Sequence, residues 1–217
     1  MVRELLVYEK RKQMKLLLFD FDGVLVDSID VYEKTVTDCL ERINQPLKRG
    51  REEFLELFEG NFYESLVEKG VDLEKFMTAS VDILSKVNYA EMKPFDAIRP
   101  VLRELAKNHP MIVISSNDTP TIAEALRLYD FEGIFQEILG SDFMLSKKDK
   151  ILHVIEKYNV TLSDIYYIGD TTGDMKEGKE AGVKTVGVTW GWHSKEKMAA
   201  VQPDYLFDKP EDLLKLG

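Results

Sequence analysis

Four aspartates lie in two short segments of the chain, and each segment follows an apolar run. Asp20 and Asp22 come directly after the first run, and Asp170 and Asp174 follow a later one. Residues two apart in an extended segment point to the same side, so the first pair is held close together. Two such carboxylates repel each other unless a cation lies between them or one carries a proton. Acidic groups that converge on one rim of a sheet favour a hard, oxygen-liganded cation, and Mg²⁺ is the natural candidate.

Each segment also has a less specialised interpretation. Asp22-Gly23 is a common turn dipeptide, so the first pair taken alone is typical of solvated acids in a turn. Asp174 taken alone is typical of a residue that caps the following helix. The shared site is favoured because both segments follow strand-like runs.

Two further groups of residues could hold phosphate. Ser115, Ser116 and Asn117 follow the apolar run 111–114, and a hydroxyl with free backbone N–H groups at a strand end can hold phosphate oxygens. A capping serine explains this group equally well. Lys147 and Lys148 lie just before a helical stripe that begins near residue 151. A lysine there could neutralise a phosphate and separate the nearby carboxylates.

The elements that must position these residues form an α/β pattern. From residue 94 onward, apolar runs alternate with helical stripes, which predicts a doubly wound, Rossmann-like parallel sheet with helices on both faces. Open sheets of this kind bind ligands outside the carboxyl ends of their strands. The expected strands are 16–19, 111–114, 135–139, 165–168, 185–188 and 204–207, and Thr119 is expected to cap a helix with Pro120 in its first turn.

The pattern from about residue 28 to residue 89 predicts helices and no strand. Apolar residues recur at helical spacing after Ser28, a plausible N-cap, and Gly50, Gly60 and Gly70 mark breaks between helices. We therefore expect a core formed by residues 1–27 and 94–217, with an all-helical cap of residues 28–93 inserted after the first core strand.

Composition excludes several classes of protein. The chain has 217 residues with 29 Lys plus Arg against 39 Asp plus Glu, a formal net charge of −10. This balance argues against binding to nucleic acid or to anionic lipid. No run is long enough to span a bilayer, and the apolar run at residues 5–8 is too short for a secretory signal. The single cysteine, Cys39, forms no internal disulfide, so we expect a cytoplasmic protein.

The aspartate motifs resemble those of a known family. The segment Asp-Phe-Asp-Gly-Val-Leu-Val-Asp-Ser at 20–28 resembles the first signature of the haloacid dehalogenase-like hydrolase superfamily, and Gly-Asp-Thr-Thr-Gly-Asp at 169–174 resembles its last. The resemblance extends from residue 14 to about residue 207. The helical insert matches the position of the family's cap, and the layout is most similar to the phosphoglycolate phosphatase-like branch.

The resemblance implies a role for each aspartate. Asp20 would be the nucleophile that attacks phosphorus and becomes an aspartyl-phosphate, and Asp22 would protonate the leaving oxygen and then activate water. Mg²⁺ would be held by Asp20, by the backbone carbonyl of Asp22 and by Asp170. Asp174 would be a further ligand or would support the others.

The resemblance also implies roles for the phosphate-binding groups. Ser115 would offer its hydroxyl and Ser116 its backbone N–H, although a slip of one residue exchanges them, and Asn117 would flank the site. Lys147 is the expected lysine, with Lys148 as the alternative, because Ser-Lys-Lys-Asp-Lys departs from the family's usual Lys-Pro pattern. The loop 190–193 would border the site, although an aromatic surface loop or a subunit contact explains it equally well.

The function implied is a Mg²⁺-dependent phosphatase that acts on a small phosphorylated metabolite, as a monomer or homodimer. A phosphosugar mutase similar to β-phosphoglucomutase is the enzymatic alternative. A phospho-acceptor or regulatory module without turnover is the alternative from another class. The sequence does not name the substrate.

Overall fold

A six-stranded parallel sheet forms the centre of the computed structural model, which describes residues 14–87, 91–95 and 97–217. The apolar run at residues 5–8 lies outside this range. In chain order, the strands are β1 (Leu16–Phe19), β2 (Val26–Asp27), β3 (Lys93–Pro94), β4 (Met111–Ile114), β5 (Glu137–Leu139), β6 (Ile165–Gly169), β7 (Lys184–Val188) and β8 (Tyr205–Phe207). Strands β2 and β3 lie outside the six-stranded sheet and pair with each other. The order in the sheet is β5-β4-β1-β6-β7-β8, and all of its neighbouring pairs are parallel.

Helices from the later part of the chain pack against both faces of this sheet. In chain order, the helices are α1 (Ile29–Arg42), α2 (Arg51–Glu56), α3 (Phe62–Glu68), α4 (Leu73–Leu84), α5 (Ile98–Leu105), α6 (Thr119–Leu128), α7 (Lys147–Tyr158), α8 (Thr172–Glu180) and α9 (Lys195–Ala200). Those that cover the sheet are α5 to α9. Leu17 and Phe19 share a core with α5 and α6, whereas Leu16 and Leu18 share one with α7. An apolar run without alternation is expected for a strand covered on both sides. The predicted doubly wound α/β fold is confirmed.

The helices α1 to α4 form a helical insert with its own apolar core. Tyr32, Phe54, Phe58 and Phe62 lie at its centre, and the rings of Phe58 and Phe62 stack with centroids 5.0 Å apart. The two chain segments that lead into and out of the insert pair as the short antiparallel ribbon β2–β3. The division of the chain at residues 28 and 93 stays a prediction.

Two helix starts differ from the sequence-based expectation, whereas the start of α1 agrees with it. Asp118, and not Thr119, is the N-cap of α6, because its carboxylate accepts the N–H of Thr121 at 2.8 Å. Ser28 stands at the N-cap position of α1 but makes no capping hydrogen bond through its side chain. Helix α7 begins at Lys147 and not near residue 151, because the hydroxyl of Ser146 accepts the N–H of Asp149.

In the described ranges, no helix combines the length and the apolar character needed to cross a bilayer.

Candidate active site

Three carboxylates meet at the carboxyl ends of β1 and β6. These strands are neighbours in the sheet, with Phe19 opposite Ile168, so the residues that follow them emerge side by side. Asp20, Asp170 and Asp174 are buried, and each offers one oxygen within 4.8 Å of those of the other two. The structure thus brings together two segments that are far apart in the sequence.

One lysine lies between two of these carboxylates. The Nζ atom of Lys147 is 2.7 Å from Oδ2 of Asp20 and 2.6 Å from Oδ1 of Asp174, and all three side chains are buried. Lys148 points elsewhere: its side chain is 39% exposed and pairs with Glu180 at 3.2 Å. Of the two lysines that the sequence left open, the structure brings Lys147 to the aspartates.

Asp174 is fixed by hydrogen bonds from several directions. Its Oδ2 accepts the N–H and the hydroxyl of Thr171 in a capping box at the start of α8, and its Oδ1 accepts the hydroxyl of Tyr167 at 2.8 Å. Burial opposes its ionisation, but Lys147 and these donors hold the pKa of Asp174 below its usual range. Asp174 is therefore an anchored carboxylate. Sequence analysis missed Tyr167, because this residue lies inside an apolar strand.

Asp170 has fewer partners than the other two carboxylates. Its Oδ2 accepts the backbone N–H of Trp192 at 2.6 Å, whereas its buried Oδ1 has no hydrogen-bond partner within the described part of the chain. Burial, together with the charges of Asp174 and Asp20, raises the pKa of Asp170 well above its usual value. A further positive charge beside this carboxylate would favour its ionised state.

Two glycines make room for the Asp170 side chain. A Cβ atom on Gly23 would lie 2.0 Å from Oδ2 of Asp170, and one on Gly191 would lie 2.3 Å from the same atom. Gly23 also has a φ of +74°, a conformation that side chains disfavour. Both positions therefore require glycine if Asp170 is to occupy its place.

The carboxylate cluster fits a hard divalent cation. Its donors are all oxygens, as Mg²⁺ prefers, and one of them is buried without a partner. Burial raises the pKa of Asp20 to about 7, although Lys147 opposes the rise. A cation would relieve the repulsion that keeps Asp20 and Asp170 from ionising together. Asp20, Asp170 and Asp174 are the side chains that could hold it.

Asp22 lies outside this carboxylate cluster. Its side chain is buried, and burial raises its pKa to about 6, with the side chains of Ser28, Asn117 and Ser115 opposing the rise. The family resemblance implies that Asp22 would offer a metal its backbone carbonyl and not its side chain. A carboxyl group with this pKa can give and take a proton near neutral pH.

The predicted phosphate-binding residues follow β4 on the other side of β1. Ser115 is buried and its Oγ accepts the N–H of Asn117 at 3.0 Å, whereas Ser116 is half-buried and its carbonyl accepts the hydroxyl of Tyr63 at 2.8 Å. The structure places all three predicted residues at the rim that holds the aspartates.

A second lysine, which the sequence analysis missed, lies behind this segment. Lys150 is fully buried, and its Nζ donates to the carbonyl of Ser115 at 2.5 Å. Burial and the charge of Lys147 lower the pKa of Lys150 to about 7. The only signal was its position, three residues after Lys147 and next to an apolar helical stripe, where a lysine is usually solvated.

The helical insert contacts the rim through several hydrogen bonds. The N–H of Gly173 donates to the carbonyl of Phe58 at 2.9 Å, and the side-chain amide of Asn61 donates to Glu177 at 3.1 Å. His193 joins the two parts: its Nδ1 accepts the N–H of Thr172 at 3.0 Å, and its Nε2 lies 3.1 Å from the carbonyl of Leu55. The loop 190–193 therefore borders the carboxylates and contacts the insert.

The other two histidines lie elsewhere. His109 accepts the N–H of Lys15 at 3.1 Å, and the ring of His153 packs against Phe143 with centroids 4.9 Å apart.

The family that these features indicate also emerges from comparison with known proteins. Residues 17–188 match the family model described as haloacid dehalogenase-like hydrolase. The chain belongs to this family. Its relatives include a phosphoglycolate phosphatase of Aquifex aeolicus, which is 30% identical over 94% of this chain and 96% of its own length. A phosphoglycolate phosphatase of Vibrio parahaemolyticus is 24% identical over 95% of this chain and 97% of its own length. The expected membership of the phosphoglycolate phosphatase-like branch is confirmed.

Solved structures share the fold. A predicted phosphatase from Clostridium acetobutylicum superposes with a TM-score of 0.81 at 23% identity, covering 93% of this chain and 96% of that one. A haloacid dehalogenase-like hydrolase from Streptococcus pneumoniae gives a TM-score of 0.78 at 22% identity, covering 94% and 98%. At these identities the likeness supports the architecture of this hydrolase.

Proposed function

We propose that this hydrolase is a Mg²⁺-dependent phosphatase that cleaves a small phosphorylated metabolite through an aspartyl-phosphate on Asp20. The observation that carries the proposal is the buried ion triad at the sheet rim, in which Lys147 contacts both Asp20 and Asp174. Relatives named phosphoglycolate phosphatase support the reaction class.

Asp20 is held in one orientation for attack. Its Oδ1 accepts the N–H of Phe21 at 2.8 Å, and its Oδ2 accepts from Lys147. A carboxylate and a phosphate dianion repel each other, and the Lys147 ammonium lowers that repulsion. Bound Mg²⁺ would supply further positive charge at Asp20, Asp170 and Asp174 and so stabilise the transition state.

Asp22 carries the protons in this proposal. In its acid form it gives a proton to the leaving oxygen as the bond between phosphorus and that oxygen breaks. The resulting carboxylate then takes a proton from the water that hydrolyses the aspartyl-phosphate. Its raised pKa, about 6, places both forms within reach near neutral pH.

The remaining residues hold the phosphoryl group and exclude water. Ser115, Ser116 and Asn117 provide hydrogen bonds to its oxygens, and Lys147 provides positive charge. The segment 28–93 acts as the cap, whose contacts with α8 shield the carboxylates from solvent. Exclusion of water strengthens these electrostatic interactions.

The experiment measures release of inorganic phosphate from p-nitrophenyl phosphate with Mg²⁺ and with a chelator. We expect Asp20→Asn to lower kcat by at least about a thousandfold, since the covalent step is lost, while circular dichroism stays unchanged. Chelation should abolish the wild-type activity. Asp204→Asn is the control, because Asp204 is a carboxylate that binds Thr185 away from the rim. Activity of Asp20→Asn near the wild-type level would refute the proposal.

The same assay separates the alternatives. With a phosphosugar as substrate, a mutase would return the phosphoryl group to a second hydroxyl of the sugar and would release little inorganic phosphate. A phospho-acceptor module would take up one phosphoryl group per chain without turnover. In that case Asp22→Asn would not change the amount of phosphoryl group bound to the protein.

A further inference from the structure

A small cavity lies between the helical insert and the segment that follows β4. Its volume is about 40 Å³, and it is lined by α1, α3 and α4 on one side and by Ser116 and Asn117 on the other. A space of this size accepts roughly three or four non-hydrogen groups, since one water-sized probe needs about 10–15 Å³.

The cavity begins beside the proposed phosphate site. Ser116 and Asn117 line it, and both belong to the segment after β4 that would hold the phosphoryl oxygens. Tyr32 lines it from α1. Because the phosphoryl group would lie at this segment, the alcohol part of the substrate extends from there into this space.

The cavity offers no cation to a carboxylate. Among the described residues that line it there is no lysine, arginine or histidine, and one of them, Asp118, is acidic. The two buried lysines nearby are already engaged, Lys147 by the aspartates and Lys150 by the carbonyl of Ser115. A carboxylate buried here without a partner would lose its hydration without compensation.

Three hydroxyl groups that line the cavity already donate their protons to backbone carbonyls. Thr35 donates to the carbonyl of Val31 at 2.7 Å, and Ser80 donates to that of Met77 at 2.8 Å. The hydroxyl of Tyr63 donates to the carbonyl of Ser116 in the same way. The oxygens of these three groups remain as acceptors for a donor such as an alcohol O–H, which a carboxylate does not offer.

From this cavity we infer that the substrate is a phosphomonoester whose leaving group is a small uncharged alcohol, and that the chain disfavours phosphoglycolate. The inference rests on the proposed phosphatase function and adds the substrate class. It separates this chain from relatives that carry the name phosphoglycolate phosphatase.

The first test compares two esters of nearly equal size, 2-hydroxyethyl phosphate and 2-phosphoglycolate. With the wild-type protein and excess Mg²⁺, we expect kcat/KM to be about a hundredfold higher for the hydroxyethyl ester, because the carboxylate must be buried without a cation beside it. Equal values, or a preference for phosphoglycolate, would overturn the inference and leave the phosphatase function standing. Failure to hydrolyse either ester or p-nitrophenyl phosphate would refute the phosphatase function and the inference with it.

The second test places a cation in the cavity. Met77 lines it from α4 and is half-buried, so Met77→Lys introduces an ammonium on a side chain of similar length. We expect the ratio of kcat/KM for phosphoglycolate over hydroxyethyl phosphate to rise about tenfold, as an ion pair forms. Met77→Gln is the matched polar control and should not raise it. An unchanged ratio in Met77→Lys, or an equal rise in Met77→Gln, would contradict the inference.

Discussion

At the scale of single residues, positive charge is distributed unequally among the buried acids. Lys147 forms ion pairs with Asp20 and Asp174, whereas the side chain of Asp170 accepts a hydrogen bond from a backbone N–H. The sequence predicted these residues because acids after apolar runs stand out. It missed Lys150, because a lysine in a helix is usually solvated and nothing local shows that this one is buried.

Lys150 gives the wild-type protein a pH-dependent stability. Its pKa is about 7 in the folded state, against an ordinary value of 10.5. Between these values the unfolded chain holds a proton that the folded one lacks, so stability rises with pH. The slope from this group reaches about 1.4 kcal/mol per pH unit. In Lys150→Met this contribution is absent, and the wild type should gain stability relative to the variant from pH 7 to pH 9.5.

Urea unfolding at several pH values measures this difference. Lys148→Met is the matched control, since it removes a lysine whose side chain is 39% exposed from the same helical turn. A stability difference between wild type and Lys150→Met that does not vary with pH would contradict the assignment.

At the scale of elements, strands were easier to predict than helix ends. The run at 111–114 matches β4 at both ends, because continuous apolar residues are required where both faces are covered. The start of α6 was misplaced by one residue, since Asp118 and Thr119 are both good N-caps and only tertiary structure chooses between them. The ribbon β2–β3 has two residues in each strand, too few for a pattern.

The contact between α8 and the insert depends on Gly173. A Cβ atom at this position would lie 2.3 Å from the carbonyl oxygen of Gly60 and 2.8 Å from that of Phe58. Alanine normally favours a helix over glycine by about 1 kcal/mol. We nevertheless expect Gly173→Ala to lower kcat/KM by about tenfold, because the insert must move away from the carboxylates.

Steady-state kinetics with a phosphate ester tests this expectation. Gly60→Ala is the control in the facing loop, where an added Cβ has no atom within 4 Å. Wild-type kinetics in Gly173→Ala, or an equal loss in Gly60→Ala, would show that the close approach is not needed.

At the scale of the whole molecule, the site exists only where two apolar cores meet. The sheet supplies the carboxylates and the insert supplies the cover, and Trp192 belongs to both parts. Its backbone N–H donates to Asp170, while its ring packs among the insert aromatics, with its centroid 4.9 Å from that of Phe58 and 5.4 Å from that of Tyr32. The sequence indicated a loop near the site, but its neighbours in the insert are more than a hundred residues away and no local pattern reports them.

Trp192 should therefore couple the unfolding of the two cores. Trp192→Ala leaves a cavity in the insert, and a buried Trp→Ala change costs about 3–5 kcal/mol. Because this loss falls on the smaller core, we expect the insert to melt before the sheet, so calorimetry would show two transitions in place of one. Trp190→Ala is the matched control, since Trp190 lies in the same loop but packs against the sheet core and donates to the carbonyl of Val24. It should lower Tm and keep one transition. A single transition in Trp192→Ala would mean that the insert does not depend on this ring, and that the ribbon β2–β3 and the contacts with α8 suffice to join it to the sheet.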